Sequence, residues 1–377
     1  MRRITIALTA LGLAFAVPLL LAEGVFRLLP VFQGIFLQPV DAAHPVARME
    51  PNRDFTYSLR PSMTRPTRKH INNDGFVNDQ DYAAGARTPL LAVVGDSFIE
   101  ALMVPHAETV SGRLQHLAGD TARVYSFAIS GAPLSQYLIW AKHAHDTYKA
   151  DALAIAIISN DFDESVIPYG GRHGYHFFTG DVDRCALELA RVDLPPSRVR
   201  WLMRSSALLQ YLVFNANATS LLDPATLRQM LAGFGKPATA KIEEAPAPAQ
   251  AAAGPDHRER ASLCAIDTFL RQLPEMSGLP PERVLFLVDG LRDYNSADPD
   301  AGLTTTYFGR MRSRFIEQAR AHGYGVADLH PVFRDRTRAD GTRFEFPDDN
   351  HWSGTGHQVA AEAIAAWPVW HQLTAGR

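Results

Sequence analysis

The sequence predicts an α/β fold, a three-layer αβα sandwich built on a mainly parallel five-stranded sheet. Short apolar segments recur along the chain and alternate with amphipathic helical stretches. The third of these segments, residues 152–158, is apolar throughout, as is typical of a parallel strand buried on both faces. Alternation of this kind indicates a sheet covered by helices on both sides.

The elements follow from the same pattern in chain order. The predicted strands are residues 90–94, 124–129, 152–158, 284–288 and 326–329, and the predicted helices are residues 108–117, 134–148, 263–273, 305–322 and 354–367. Together they form one domain at 89–377, interrupted by an insertion at 161–260. Within the insertion, the tract 236–255 is rich in Ala and Pro and predicts a flexible segment.

An apolar segment at the N-terminus predicts a membrane anchor. Residues 4–22 carry no charged side chain, and as a helix they would span about 30 Å, the thickness of the hydrocarbon core. Arg2 and Arg3 precede the segment, which favours export of everything that follows it. We therefore expect a signal anchor at 1–24, with a cleaved signal peptide as the alternative, and a juxtamembrane extension at 25–88. The main domain would then face the periplasm from the inner membrane, or be secreted after cleavage.

Composition excludes several classes of protein. The 377 residues include 37 basic and 40 acidic side chains, so there is no positive excess for binding nucleic acid. The apolar fraction of 46% excludes a wholly disordered chain, and the mean hydropathy of −0.11 excludes a multi-span membrane protein. Cys185 and Cys264 would form one disulfide or remain two buried thiols, and their spacing does not indicate a zinc site.

The first predicted strand ends in Gly95-Asp96-Ser97-Phe98, which places a serine where ligands bind in open parallel sheets. Ser97 is the candidate nucleophile. The same residues also suit a simple turn in which Asp or Ser caps a helix.

A serine nucleophile needs a base and a group that orients the base. The stretch that opens the last predicted helix contains Asp348, Asp349 and His351. Either carboxylate could reach the imidazole Nδ1 and leave Nε2 for the serine. In the alternative interpretation the acidic residues cap the helix and His351 lies on the surface.

Two further candidates follow the second and third strands. Gly131 offers a backbone N–H and Asn160 a side-chain amide, both suited to stabilising an oxyanion. Each has an ordinary explanation as a turn residue. However, all four motifs fall at the carboxyl ends of strands, or just beyond them, on one edge of the same predicted sheet.

These residues resemble the SGNH hydrolases, also called GDSL-like lipases and esterases, over residues 90–370 without the insertion. The resemblance implies the flavodoxin-like fold of that family, with Ser97 as nucleophile and His351 as general base. It implies an oxyanion hole made of the Ser97 N–H, the Gly131 N–H and the Asn160 side chain. It requires no metal or organic cofactor.

The chain departs from the family pattern at two positions, because Phe98 replaces the usual Leu and Ile158 stands where the third block has Gly. For the triad acid, the Asp-x-x-His form of the family selects Asp348. The Asp-x-His-Trp form, similar to membrane-anchored and polysaccharide-acetylating members, selects Asp349, and Trp352 favours it. Residues 72–76, Asn-Asn-Asp-Gly-Phe, also resemble a stretch found in such anchored bacterial proteins.

The resemblance implies a periplasmic serine ester hydrolase that acts on a small-molecule or glycan ester. One alternative is an acyltransferase that uses the same residues to acetylate an envelope or exported polysaccharide. Another is a protein that keeps the fold but binds glycans without catalysis. The aromatic segment 169–178 would be a lid or a sugar-stacking patch, or would pack the insertion onto the core.

Overall fold

The structure, a computed structural model, describes residues 2–167, 169–197, 203–218, 255–292, 294 and 298–375. These residues fall into two compact units. The first takes its residues from 1–36, 54–69 and 196–244, and the second from 37–53, 70–195 and 245–377.

Strands and helices are numbered in chain order. The strands are β1 (Arg53–Leu59), β2 (Thr64–Ile71), β3 (Leu90–Gly95), β4 (Arg123–Ala128), β5 (Ala152–Ile157), β6 (His176–Asp181), β7 (Ala186–Arg191), β8 (Val284–Val288), β9 (Gly325–Asp328), β10 (Glu345–Phe346) and β11 (Asp349–Trp352). The helices are α1 (Arg2–Leu28), α2 (Ser97–Glu100), α3 (Val110–Ala118), α4 (Leu134–Tyr148), α5 (Ala207–Gln210), α6 (Pro255–Ser277), α7 (Gly302–Thr305), α8 (Tyr307–Ala321), α9 (Leu329–Asp340), α10 (Gly354–Ala365) and α11 (Pro368–Thr374).

The second unit is built on a five-stranded sheet in the order β4-β3-β5-β8-β9, and each neighbouring pair is parallel. This confirms the predicted fold class. The first strand of this sheet along the chain is β3. The next strand, β4, pairs with one edge of β3, and β5 pairs with the other edge. The strand order therefore reverses beside β3, and ligands of open α/β sheets bind at such a reversal, beyond the carboxyl ends of the strands.

Both faces of the sheet are buried, and β5 shows why its sequence is apolar throughout. Ala152, Ala154 and Ala156 lie in the core that contains side chains of α3, α10 and α11. Leu153, Ile155 and Ile157 alternate with them and face the other side, because successive strand residues point to opposite faces. On that other side the Phe286 ring of β8 packs against Phe315 of α8, with ring centroids 4.9 Å apart.

Helix α9 and strand β11 are among the elements that the sequence pattern does not predict. Helix α9 contains a proline near its start and few apolar residues, so the apolar periodicity is weak there. Strand β11 carries His351 and is mostly polar, and it was expected to be a loop. It pairs with β10 in an antiparallel ladder that has an irregular register.

The described part of the insertion contains an antiparallel hairpin made of β6 and β7. A disulfide joins Cys185, in the turn of this hairpin, to Cys264 of α6, with the two Cα atoms 5.2 Å apart. This confirms the disulfide alternative for the two cysteines. The aromatic residues of segment 169–178 are buried, which favours packing onto the core over sugar stacking. Residues 236–254 of the predicted Ala/Pro tract lie outside the described residues.

The first unit contains α1, most of the β1–β2 pair, α5 and a π-helical turn at Tyr211–Asn215. The most apolar 18-residue stretch within residues 4–28 of α1 has a mean hydropathy of 2.4, so this helix is long and apolar enough for a membrane anchor or a signal sequence. The helix continues past the predicted anchor boundary at 24. An ion pair between Glu23 and Arg27, four residues apart, stabilises this extra turn. The predicted juxtamembrane extension at 25–88 contains the β1–β2 pair.

We expect removal of the disulfide to destabilise the second unit. It closes a loop of 79 residues, and loop entropy predicts that Cys185→Ser with Cys264→Ser lowers the free energy of unfolding by about 4–5 kcal/mol. Thermal unfolding with and without reductant measures the effect, and reductant should not change the double variant. Equal unfolding temperatures for the oxidised wild type and the double variant would contradict this assignment.

Candidate active site

Ser97 stands at the carboxyl end of β3, where the chain turns sharply into α2. The turn requires glycine at position 95, because a Cβ there would lie 2.5 Å from the Cγ1 atom of Ile99. Asp96 caps α2, and its Oδ1 atom accepts a hydrogen bond of 3.0 Å from the Phe98 N–H. Ser97 is the first residue of α2, so its own N–H has no partner within that helix.

A chain of hydrogen bonds links Ser97, His351 and Asp349. The Ser97 Oγ atom lies 2.8 Å from His351 Nε2, and His351 Nδ1 lies 2.5 Å from Asp349 Oδ1. The same Asp349 oxygen accepts the His351 backbone N–H at 3.1 Å. The structure therefore pairs the histidine with Asp349, while the alternative Asp348 lies in the turn before β11.

This arrangement determines which ring nitrogen of His351 carries the proton. The Asp349 carboxylate can only accept, so Nδ1 carries the hydrogen and Nε2 presents its lone pair to the serine hydroxyl. Burial opposes a charge on the imidazole, but the hydrogen bond and charge of Asp349 outweigh it and raise the pKa of His351 above its usual value. Ser97 Oγ also lies 3.3 Å from Asp96 Oδ2, a longer contact than the one to His351.

An ion pair between the buried Asp289 and the partly exposed Arg292 holds the strand that carries His351. Arg292 donates to both carboxylate oxygens of Asp289, at 3.1 and 2.6 Å. Asp289 also accepts a hydrogen bond of 2.9 Å from the indole N–H of Trp352, the residue after His351. A further Arg292 N–H donates to the carbonyl of Asn350, the residue before it. Both neighbours of His351 are thus fixed by one ion pair, which no sequence motif indicated.

The ring of Phe98 completes the support of His351. It lies between the imidazole and the Trp352 indole, with centroid distances of 4.8 and 5.4 Å. The Leu of the family name would lack these aromatic contacts, so Phe98 is a structural member of the site in this chain. His351 keeps a quarter of its side chain exposed, at 24%, so solvent or substrate can reach it.

Gly131 lies in the turn that follows β4, the neighbour of β3. Its φ angle is +74°, a conformation that favours glycine. A Cβ atom at this position would lie 1.9 Å from the Nη1 atom of Arg172, so the end of that side chain lies directly against Gly131. Among the described residues, no acceptor is hydrogen-bonded to the N–H of Gly131 or to that of Ser97.

Asn160 lies in the turn that follows β5, the other neighbour of β3. Asp161 closes this turn by accepting the Ile158 N–H at 2.6 Å and the Tyr137 hydroxyl at 2.7 Å. Burial raises the pKa of Asp161 well above its usual value. The Asn160 amide donates to Glu164 at 3.3 Å, and because it has two N–H groups, a second donor remains.

A cavity of about 130 Å³ is lined by residues that support the candidate triad. Phe98 and Asn350, the neighbours of Ser97 and His351, contribute to its lining, together with Ile158 and Arg292. Ile158, the side chain that departs from the family pattern, therefore contributes to the lining of this cavity. Within the described residues, no group of three His, Cys, Asp or Glu side chains could hold a metal ion.

The sequence was compared with families and with known proteins. A family model described as the SGNH hydrolase-like domain of the acetyltransferase AlgX matches residues 276–369. That stretch includes Asp289, Arg292, Asp349 and His351, but not Ser97. No curated protein matches the chain.

Solved structures with a similar arrangement include several lipases and esterases. A lipase/acylhydrolase from Enterococcus faecalis is 10% identical, with a TM-score of 0.36, and the match covers 76% of this chain and 96% of that one. A lipolytic G-D-S-L protein from Veillonella parvula is 8% identical, with a TM-score of 0.36 and coverages of 75% and 99%. A two-domain esterase active on acetylated mannans is 11% identical, with a TM-score of 0.37 and coverages of 76% and 50%.

These identities and TM-scores are too low to transfer a substrate from any of those proteins. The resemblance to a known family rests instead on the family model and on the five-stranded parallel sheet, and both agree with the motifs in the sequence. The chain therefore resembles the SGNH hydrolases, and among them the acetyltransferase type, a group whose fold supports esterase or acyl-transfer chemistry on esters.

Proposed function

We propose that this protein is a serine ester hydrolase that removes a short acyl group, such as acetyl, from a carbohydrate or small-molecule ester. The observation that carries the proposal is the continuous hydrogen-bond chain from Ser97 through His351 to Asp349. A serine, a base and an orienting carboxylate in this order are the requirements for nucleophilic catalysis at an ester carbonyl.

In the proposed reaction, His351 Nε2 takes the Ser97 proton as Oγ attacks the ester carbonyl carbon. The resulting tetrahedral intermediate collapses, the carbon–oxygen bond to the alcohol breaks, and the imidazolium returns the proton to the departing alkoxide. Water, deprotonated by His351, then attacks the acyl-enzyme and releases the carboxylic acid and free Ser97. Asp349 stabilises the imidazolium that forms in each half of the reaction.

The N–H groups of Ser97 and Gly131 and the side chain of Asn160 are the proposed oxyanion donors. They follow three adjacent parallel strands, and two of them lack an acceptor in the described part of the chain. Loss of one such donor in other acyl-transfer enzymes costs about 3–4 kcal/mol of barrier. The small cavity lined by Phe98 and Asn350, the sequence neighbours of Ser97 and His351, is in keeping with a short acyl group.

A second candidate function is O-acyl transfer to a polysaccharide hydroxyl. The family model of an acetyltransferase domain, which matches the segment containing Asp349 and His351, favours this candidate. The two reactions share the acyl-enzyme and differ only in whether water or a sugar hydroxyl resolves it. For either reaction, we propose that α1 anchors the protein in the inner membrane with the second unit in the periplasm.

Replacement of Ser97 tests the nucleophile. Ser97→Ala removes the attacking oxygen, so hydrolysis of p-nitrophenyl acetate should fall at least about a thousandfold while the unfolding temperature is retained. The wild type should be labelled by a fluorophosphonate and the variant should not. Full activity in Ser97→Ala contradicts the proposal, and a wild type that neither hydrolyses nor labels supports the non-catalytic alternative.

The pH dependence tests the pairing of His351 with Asp349. Only the neutral imidazole can act as base, and its pKa is raised, so kcat/KM should fall as pH decreases through a midpoint above 6.5. In Asp349→Asn the carboxylate that raises the pKa of His351 is absent, so burial lowers that pKa and the midpoint should drop below 6.5. The value of kcat should fall by up to about 10⁴-fold. Asp348→Asn is the matched control. Equal shifts in the two variants would overturn the choice of Asp349.

An acceptor assay separates hydrolysis from transfer. The protein is incubated with p-nitrophenyl acetate, with and without an unacetylated oligosaccharide, and acetate and acetylated glycan are both measured. Hydrolysis predicts release of acetate that does not depend on the glycan. Acetylated glycan formed by the wild type but not by Ser97→Ala would establish the transferase instead.

A further inference from the structure

The turn that carries Gly131 is held by two side chains that the proposed mechanism does not use. Glu100, at the end of α2, accepts hydrogen bonds from the Ser130 N–H at 3.0 Å and from the Ser130 hydroxyl. Tyr175 donates its phenol to the Ser130 carbonyl at 3.3 Å. Both side chains are almost fully buried, with exposures of 2% for Glu100 and 4% for Tyr175.

The Ser130 carbonyl and the Gly131 N–H belong to the same peptide group. In a trans peptide the two point in opposite directions. A hydrogen bond that draws the carbonyl toward Tyr175 therefore turns the Gly131 N–H away from Tyr175. Burial, with the Glu100 carboxylate nearby, raises the pKa of the Tyr175 phenol, so it keeps its proton and remains a donor.

Glycine at 131 creates the need for such a restraint. Its φ of +74° is one of several conformations that glycine adopts easily, so the peptide before it can rotate at little cost. A rotated peptide would present the carbonyl oxygen in place of the N–H, and a carbonyl repels a developing oxyanion. Glycine at position 131 therefore permits both the turn that presents the N–H and a rotated turn that presents the carbonyl oxygen instead.

Glu100 links this restraint to the nucleophile. It lies three residues after Ser97 on the four-residue helix α2, and α2 packs against β4, the strand that leads into the turn. One short helix therefore carries both the Ser97 N–H and the carboxylate that fixes the neighbouring turn. Movement of either donor relative to the other would have to break the buried contacts of Glu100.

We propose that Glu100 and Tyr175 are positioning residues that hold the Ser130–Gly131 peptide with its N–H directed at the oxyanion formed on Ser97. This inference rests on the proposed function. It assigns part of the insertion to the active site, because Tyr175 comes from the segment between β5 and β6. Neither residue touches the reacting atoms, and both act through Gly131.

Tyr175→Phe tests the proposal with little change in packing. Loss of the restraint should lower kcat for p-nitrophenyl acetate by about 10- to 100-fold, because an oxyanion donor is present in only part of the population. KM should change less than about twofold, since the ground-state ester hardly uses the donor. The inhibition constant of phenylboronic acid, which forms a tetrahedral adduct with serine, should rise in parallel with the loss of kcat/KM.

Variants of Glu100 provide a second, independent test of the proposal. Glu100→Gln keeps an oxygen that can accept from Ser130 and should retain most of the activity that Glu100→Ala loses. The pH midpoint of kcat/KM should stay at its wild-type value in every variant, because His351 and Asp349 are untouched. Tyr169→Phe is the matched control: Tyr169 is a buried tyrosine of the same segment whose hydroxyl contacts His257 instead, and its loss should leave kcat unchanged.

Two results would overturn the proposal. One is wild-type kcat and boronate inhibition in both Tyr175→Phe and Glu100→Ala. The other is a fall in kcat in both variants that is accompanied by general damage to the site. Such damage would show as an equal rise in KM, a shift of the pH midpoint or loss of the folded state. Failure of the proposed function is distinguished by the wild type itself, which would then neither turn over the ester nor react with a fluorophosphonate.

Discussion

The parallel pairing of β3 with both β4 and β5 is the constraint on which the site depends. In this register Gly95 lies level with Ala128, and Val94 lies level with Ile155, so the three strands end at the same edge of the sheet. The turns that follow them carry Ser97, Gly131 and Asn160. A slip of one residue in either pairing would turn the side chains of a strand to the opposite face and displace its turn from the other two.

His351 reaches this edge by a different route, from a short strand near the C-terminus. Such a strand has little stability of its own, and side chains fix its position. The Asp289–Arg292 ion pair holds the residues on both sides of His351, and Phe98, from the nucleophile turn, packs against its ring. Removing Arg292 would leave the buried Asp289 carboxylate without its partner, and an unpaired buried charge typically costs about 3–5 kcal/mol.

Much of the fold could be predicted because the central strands are continuous apolar segments. Strand β8 and helix α4 have the predicted ends, since apolar periodicity and turn residues define both. Helix α9 and strand β11 were not predictable, because their sequences are polar and they are stabilised by contacts with distant parts of the chain. The insertion was the least predictable region, and its described part is tied to α6 by the disulfide.

For the candidate site, short motifs led to Ser97, Gly131, Asn160 and His351, while spacing alone left Asp348 and Asp349 open and only the family resemblance favoured Asp349. That choice depends on backbone geometry, because one oxygen of Asp349 accepts both the ring and the backbone N–H of His351. Arg292 and Glu100 had no sequence signal, and Tyr175 was indicated only as part of the aromatic segment 169–178, since the roles of all three come from contacts outside their own segments. Supporting residues of this kind are found only once the fold brings them together.

The most direct test of the central claim is identification of the covalent intermediate. The protein is mixed with p-nitrophenyl acetate, quenched rapidly in acid, and analysed by peptide mass spectrometry. We expect one acetyl group on the peptide that contains Ser97, and rapid loss of that group when the quench is delayed after substrate is exhausted. Turnover of the ester with no acetyl on Ser97, or with acetyl on another residue that is lost at the rate of turnover, would contradict it.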